Sequence, residues 1–277
     1  MGTTATGAID DLSSLCSLAH DFDAWFHVDA AYGGFFALLD EVKSDIAGIE
    51  LADSLSVDAH KGLFLPAATA ILIVRNKNHL STLNQVKAHY LDRDESDPNS
   101  KCKPDLSPLE RAKAAAAAEA PGPHWSSSVD YSPELSRSFR GLHVWFSLLF
   151  HGTKFFEGLL REKRQIADTL YEQLLQIPDI EVGAAPQLSI VYFRFVRDRV
   201  VSDQYHNEVN KRVFSIVKDD GRVYFTTIHL DGKIWLRIAI FNYQSRSEHV
   251  QLALQLILEA HSEVEIGIQK ESLMRSF

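Results

Sequence analysis

The sequence has 277 residues, 45% of them hydrophobic and 23% charged, which is enough to bury a sizeable core in a globular protein. The formal net charge is −9 and no basic run occurs, which argues against a nucleic acid partner. Cys16 and Cys102 have no metal-ligand spacing and fit a reducing compartment. Apolar stretches such as Trp145 to Phe150 are too short to span a bilayer, and the first residues lack the basic and apolar regions of a signal peptide. The expectation is a cytoplasmic protein with no metal site and no membrane contact.

In chain order, residues 10–22 read as an amphipathic helix, with Leu12, Leu15, Leu18 and Ala19 at helical spacing and Asp10 as its cap. Trp25 to Ala30, apolar and bounded by Asp23 and Gly33-Gly34, reads as a buried strand. Ser54 to Val57 and Ala70 to Val74 read as two more. Strands alternating with helical segments predict a parallel sheet with crossover helices. Residues 92–130 break the pattern with a polar acidic run, several prolines and Ala114 to Ala118. They read as a mobile or partly disordered loop holding one short Ala-rich helix.

Helical periodicity returns from Pro133 to Ile177, with Leu135, Phe139, Leu142, Phe146 and Leu149 in one stripe and Gly152 dividing the run. After Pro178, strands are expected over Leu188 to Phe195, Arg222 to Ile228 and Lys233 to Phe241, with helices over 203–219 and 245–263. The predicted organisation is an α/β unit over 1–177 followed by a small α+β domain over 178–277.

Two strings stand out: His27-Val28-Asp29-Ala30-Ala31-Tyr32-Gly33-Gly34, and Ser56-Val57-Asp58-Ala59-His60-Lys61-Gly62. Asp29 ends one apolar strand and Lys61 lies just past the end of the next. In an open α/β sheet, groups at the carboxyl ends of strands converge on one crevice. Taken singly, an Asp at a strand end is usually a cap and a Lys after a strand is usually solvated. As a pair they match the needs of pyridoxal phosphate (PLP). Its aldehyde requires an amine, and its ring nitrogen requires a carboxylate to stay protonated.

The two strings resemble the cofactor site of the group II PLP-dependent amino-acid decarboxylases, which include the aromatic amino-acid, histidine and glutamate enzymes. The resemblance runs from Gly2 to about residue 262, interrupted near 92–130. It implies the fold type I (aspartate-aminotransferase-like) architecture, usually a homodimer, and conversion of an L-amino acid to an amine and CO₂. It also implies a Schiff base on Lys61, a ring-nitrogen contact from Asp29, and Thr4 near the ring. Ala31 would lie beneath the ring, and His60 beside the lysine close to the phosphate. Without the resemblance Thr4 reads equally as a turn hydroxyl, and His60 as a satisfied core histidine. Asp58 stands where the aromatic amino-acid enzymes have asparagine. A phosphate would repel its carboxylate, so it is expected to point elsewhere or to accept a hydrogen bond. Tyr90 corresponds to a loop tyrosine that protonates the substrate carbon, against an ordinary packing role. Arg137 and Arg140 read as anion contacts or solvated helix residues. Arg237 reads as a substrate-carboxylate contact or a structural residue.

The family carries a long N-terminal portion before Gly2-Thr3-Thr4, with much of the phosphate cup and part of the dimer contact. The sequence starts at that point. It therefore also reads as an N-terminally truncated, inactive homologue or isoform that pairs with a full-length partner, with sheet edges left open.

Overall fold

A computed structural model describes residues 1–84, 131–197 and 200–275. The loop expected over 92–130 and the candidate Tyr90 lie outside them. Helix α1 (Leu12–Asp21) is capped by Asp11, not by Asp10 as the sequence reading had it. The Asp11 carboxylate accepts the Ser14 N–H at 3.0 Å and the Ser14 hydroxyl at 2.6 Å. An N-cap residue must present its oxygen to the second or third helical N–H, and Asp11 has that offset.

The first sheet has the order β1 (His27–Asp29), β2 (Ser54–Asp58), β3 (Ala70–Val74). β1 and β2 run parallel, with Asp29 opposite Ser56. The expected all-parallel sheet stops there, because β3 lies antiparallel to β2, with Asp58 opposite Ala70. A parallel crossover needs about a dozen residues or more. The chain between β2 and β3 spends its length on one helical turn, α2 (Ala59–Gly62), and folds straight back. The β1-to-β2 connection is not an α-helix either. It winds through short 3₁₀ turns that bury Phe36, Leu39 and Val42.

After α3 (Lys77–Asn84), the next described helix is α4 (Gly141–Leu175). It starts later than the expected Pro133, and residues 131–140 are irregular and mostly exposed. Gly152, at φ 71° and ψ 167°, interrupts it as the sequence suggests. Only a residue without Cβ adopts that backbone readily. Before the break Trp145, Leu149 and Phe150 face outward, whereas beyond it Phe156, Leu160, Leu170 and Leu174 are buried.

The second sheet is antiparallel, in the order β4 (Ile180–Val182), β5 (Ile190–Phe195), β7 (Lys233–Ala239), β6 (Thr226–Leu230). Helix α5 (Asp203–Asp220) is capped by Ser202, and with α6 (Ser247–Arg275) it packs over this sheet. β6 starts at Thr226, later than expected, and its hairpin turns at Asp231-Gly232, both at positive φ. Such a two-residue turn matches the right-handed twist of its strands.

The core around the first sheet takes Leu160, Leu188 and Ile190 from the later part of the chain. Polar stitches follow the same seam. The Ile9 N–H donates to Gln187 Oε1 at 2.8 Å, and the Tyr32 hydroxyl meets Ser189 Oγ at 2.7 Å. Gly2 sits where these parts meet. A Cβ there would lie 2.9 Å from both Leu188 Cδ1 and Tyr32 Cδ1, and its φ is +74°.

Candidate active site

Because β1 and β2 are parallel, Asp29 and Asp58 end neighbouring strands on the same side, and α2 carries Lys61 into the space beyond them. A cleft of about 320 Å³ opens there, with Thr4, Asp29, Ala31, Tyr32 and Lys61 on its walls. Thr4, Asp29, Ala31 and Lys61, singled out from the sequence, thus share one cleft.

Asp29 is held by its own strand end and by its neighbour. Its Oδ1 accepts the Ala31 N–H at 3.0 Å and the Ser56 hydroxyl at 3.2 Å. The Ala31 N–H is the main influence holding this carboxyl below the usual carboxylate range, and the positive charge of Lys61 adds to it. Oδ2 has no hydrogen bond to a described residue and is open to a ligand's donor.

Lys61 Nζ lies 3.0 Å from Asp58 Oδ2. The Asp58 carboxylate therefore faces the lysine as an ion-pair partner. Its backbone N–H donates to Ala31 O at 3.2 Å, joining the two strand ends. His60 Nδ1 is 3.2 Å from the Thr69 carbonyl, which can only accept, so Nδ1 carries the proton and Nε2 faces Asp58 at 3.7 Å. His60 borders a second cavity of about 710 Å³, which also receives Arg237.

Arg237 is committed to the protein. Its Nε donates to Ala5 O at 3.1 Å and one terminal nitrogen to Thr226 Oγ1 at 3.3 Å. It ties the second sheet to the turn that carries Thr4, and it lies outside the lining of the Lys61 cleft. Arg137 and Arg140 are exposed just before α4, form no ion pair with a described residue and do not reach the cleft. Among the described residues no group of three or more His, Cys, Asp or Glu is placed to hold a metal ion. No described helix is long and apolar enough to cross a membrane.

Two residues of this site escaped the sequence reading. Ser56 supports Asp29, and the strand register alone would have revealed it, since it sits directly opposite. Tyr32 lies inside the first motif, but its partner Ser189 is far along the chain. Burial pushes the Tyr32 hydroxyl up to about 12, so it is a neutral wall of the cleft.

Residues 1–110 match the pyridoxal-dependent decarboxylase conserved domain. An aromatic-L-amino-acid decarboxylase of Bacillus atrophaeus is 28% identical over 96% of this chain and 50% of its own length. A tryptophan decarboxylase of Camptotheca acuminata is 30% identical over 94% of this chain and 47% of its own. The chain thus spans about half the length of the curated relatives it matches. The crystal structure of the Oryza sativa tryptophan decarboxylase with PLP and tryptamine superposes with a TM-score of 0.78, covering 95% of this chain and 49% of that one at 24% identity. Residues 1–110, which include the aspartate and lysine of the cleft, are thus similar to the pyridoxal-dependent decarboxylase domain, and the chain as a whole is similar to one half of these relatives.

Proposed function

We propose that this chain supplies the lysine-bearing part of a PLP-dependent carboxy-lyase site that converts an L-amino acid, of the aromatic class by likeness to its relatives, to amine and CO₂. The observation that carries the reading is that Lys61 and Asp29 reach one cleft from adjacent parallel strands. The residues present fit the cofactor. Lys61 offers the amine that would hold it through its aldehyde. Asp29 offers a carboxylate kept ionised, with Oδ2 open toward a ring N–H. Ala31 is small enough to lie beneath a flat ring, and the Thr4 hydroxyl shares the rim. No described residue is assigned to the phosphate.

When bound, PLP supplies an electron sink for the bond that releases CO₂. Asp29 would hold a proton on the ring nitrogen, because opposite charges favour the ionised pair. Asp58 and His60 flank the lysine and fix its surroundings. Tyr90, outside the described residues, is assigned the proton donated to the substrate carbon, a task a phenol can perform.

Fold type I architecture, homodimeric assembly and a cytoplasmic location belong to the same proposal. Pairing of chains is supported by the first sheet, whose β1 and β3 edges are unpaired among the described residues. Exposed Leu72, Ile73, Trp145 and Phe150 support it further. The same surfaces favour a second reading, an inactive homologue that pairs with a full-length partner.

Incubation with PLP followed by borohydride and peptide mapping tests both. Cofactor fixed on the Lys61 peptide supports the first reading, and cofactor on another lysine overturns it. Labelling that appears only on co-expression with a full-length relative supports the second.

A further inference from the structure

We propose that Asp58 is the counter-ion that keeps Lys61 closed to aldehydes in the cofactor-free protein, so that opening the Asp58–Lys61 ion pair is a step of cofactor attachment. This deepens the carboxy-lyase reading, but the ion pair itself stands independently of it. Asp58 occupies the N-cap position of α2, where a carboxylate ordinarily bonds a helix N–H, yet its side chain makes no such bond. It reaches Lys61 Nζ at 3.0 Å instead, with the two side chains 17% and 33% exposed. The root of Asp58 is fixed on two sides, by its N–H bond to Ala31 O and by its place opposite Ala70 on β3. Lys61, on a flexible four-carbon stem, is the partner that can move away.

Among the described residues, the Met1 ammonium and Asp10 line the same cleft as Lys61. His60 Nε2 faces the same Asp58 oxygen at 3.7 Å, and Asp29 on β1 interacts electrostatically with Lys61 across the cleft. An ammonium held by a carboxylate has no lone pair to offer. Lys61 must first leave Asp58 and give one proton to water. Its nitrogen then adds to the aldehyde carbon, and the aldehyde oxygen departs as water after gaining two protons. A carbon–nitrogen double bond carrying one proton remains, and no electron is gained or lost overall. The nitrogen is cationic before and after, so Asp58 acts chiefly on the rate of capture and less on the amount captured. It is a positioning residue acting through Lys61.

The test uses formaldehyde with cyanoborohydride, which methylates lysines reductively, and reads each site by peptide mass spectrometry. The rate at Lys61 is taken relative to exposed Lys154. Partly exposed ion pairs are weak, so Asp58→Asn should raise the relative rate at Lys61 by only about two- to fivefold, and Asp58→Glu should restore the parent rate. An unchanged or slower rate at Lys61 in Asp58→Asn overturns the proposal. A parallel arm follows PLP capture by borohydride trapping, where Asp58→Asn should label Lys61 faster. If methylation accelerates while neither protein captures PLP, the counter-ion assignment stands and the carboxy-lyase reading falls. If PLP is captured at Lys61 but methylation is unchanged, the reverse holds.

Discussion

Tyr32→Phe removes one oxygen from the seam between the cleft and the second sheet and leaves the ring contacts with Phe36 and Phe241 in place. Ser189 Oγ donates to Ile240 O at 2.8 Å, so the Tyr32 hydroxyl is the donor in its own 2.7 Å bond to that oxygen. The Ser189 N–H in turn donates to the Tyr32 oxygen at 3.3 Å. Phenylalanine therefore strands a buried N–H and one acceptor site. A buried polar group left unpaired costs about 1–3 kcal/mol, so the expected loss in a urea unfolding curve near pH 8 is about 2 kcal/mol. A second arm varies pH. The folded protein holds the Tyr32 proton up to about 12, against an ordinary value of 10.0. Its contribution is therefore complete below pH 10 and lost as pH rises through 12. Two pKa units correspond to about 2–3 kcal/mol over that window. The difference between parent and Tyr32→Phe should shrink by roughly that amount between pH 10 and 12. A loss under about 0.5 kcal/mol at pH 8, or parallel pH profiles, would refute the reasoning.

Asp29→Asn keeps the shape of the cleft but removes the charge proposed to face the ring nitrogen. In whichever assembly shows turnover, the rate should fall by about two to three orders of magnitude while PLP still labels Lys61. Near-parental turnover would remove Asp29 from the chemistry. Tyr90→Phe should leave PLP labelling intact and sharply reduce amine formation, with transamination and oxidation products relatively more prominent. Amine released as fast as in the parent would make Tyr90 a packing residue. Gly2→Ala forces a Cβ to within 2.9 Å of Leu188 Cδ1 and Tyr32 Cδ1 at a backbone φ of +74°. Strain and overpacking together should cost about 1–3 kcal/mol of unfolding free energy, and an unshifted urea midpoint would contradict the packing described.

Most of the elements were legible because each rests on a pattern a few residues long. The β2 and β3 runs, the break at Gly152 and α5 follow from apolar periodicity and from residues with special backbone freedom. The turn at Asp231-Gly232 is an equally local signal for where β6 ends, whereas its start at Thr226 is set by pairing with Arg237 on β7. The first cap was misplaced by one residue because Asp10 and Asp11 are chemically alike and only the helix axis distinguishes them.

The sequence by itself determined the ingredients of the site: an aspartate and a lysine closing consecutive apolar strands, with small residues between them. That information is local, since strand ends and their side chains are set by neighbours in the chain. Tertiary structure decided the rest. It set the return direction of β3, the pairing of Ser56 with Asp29, and the commitment of Arg237 to Ala5 and Thr226. It also set the burial of Tyr32 against Ser189. Each of these depends on residues brought together from distant parts of the chain. Packing and register, which no short pattern encodes, choose among chemically equivalent partners. The Asp58–Lys61 pair shows the same division at short range. The spacing permits the contact, but the anchoring of Asp58 between the β1 loop and β3 is what aims its carboxylate at the lysine.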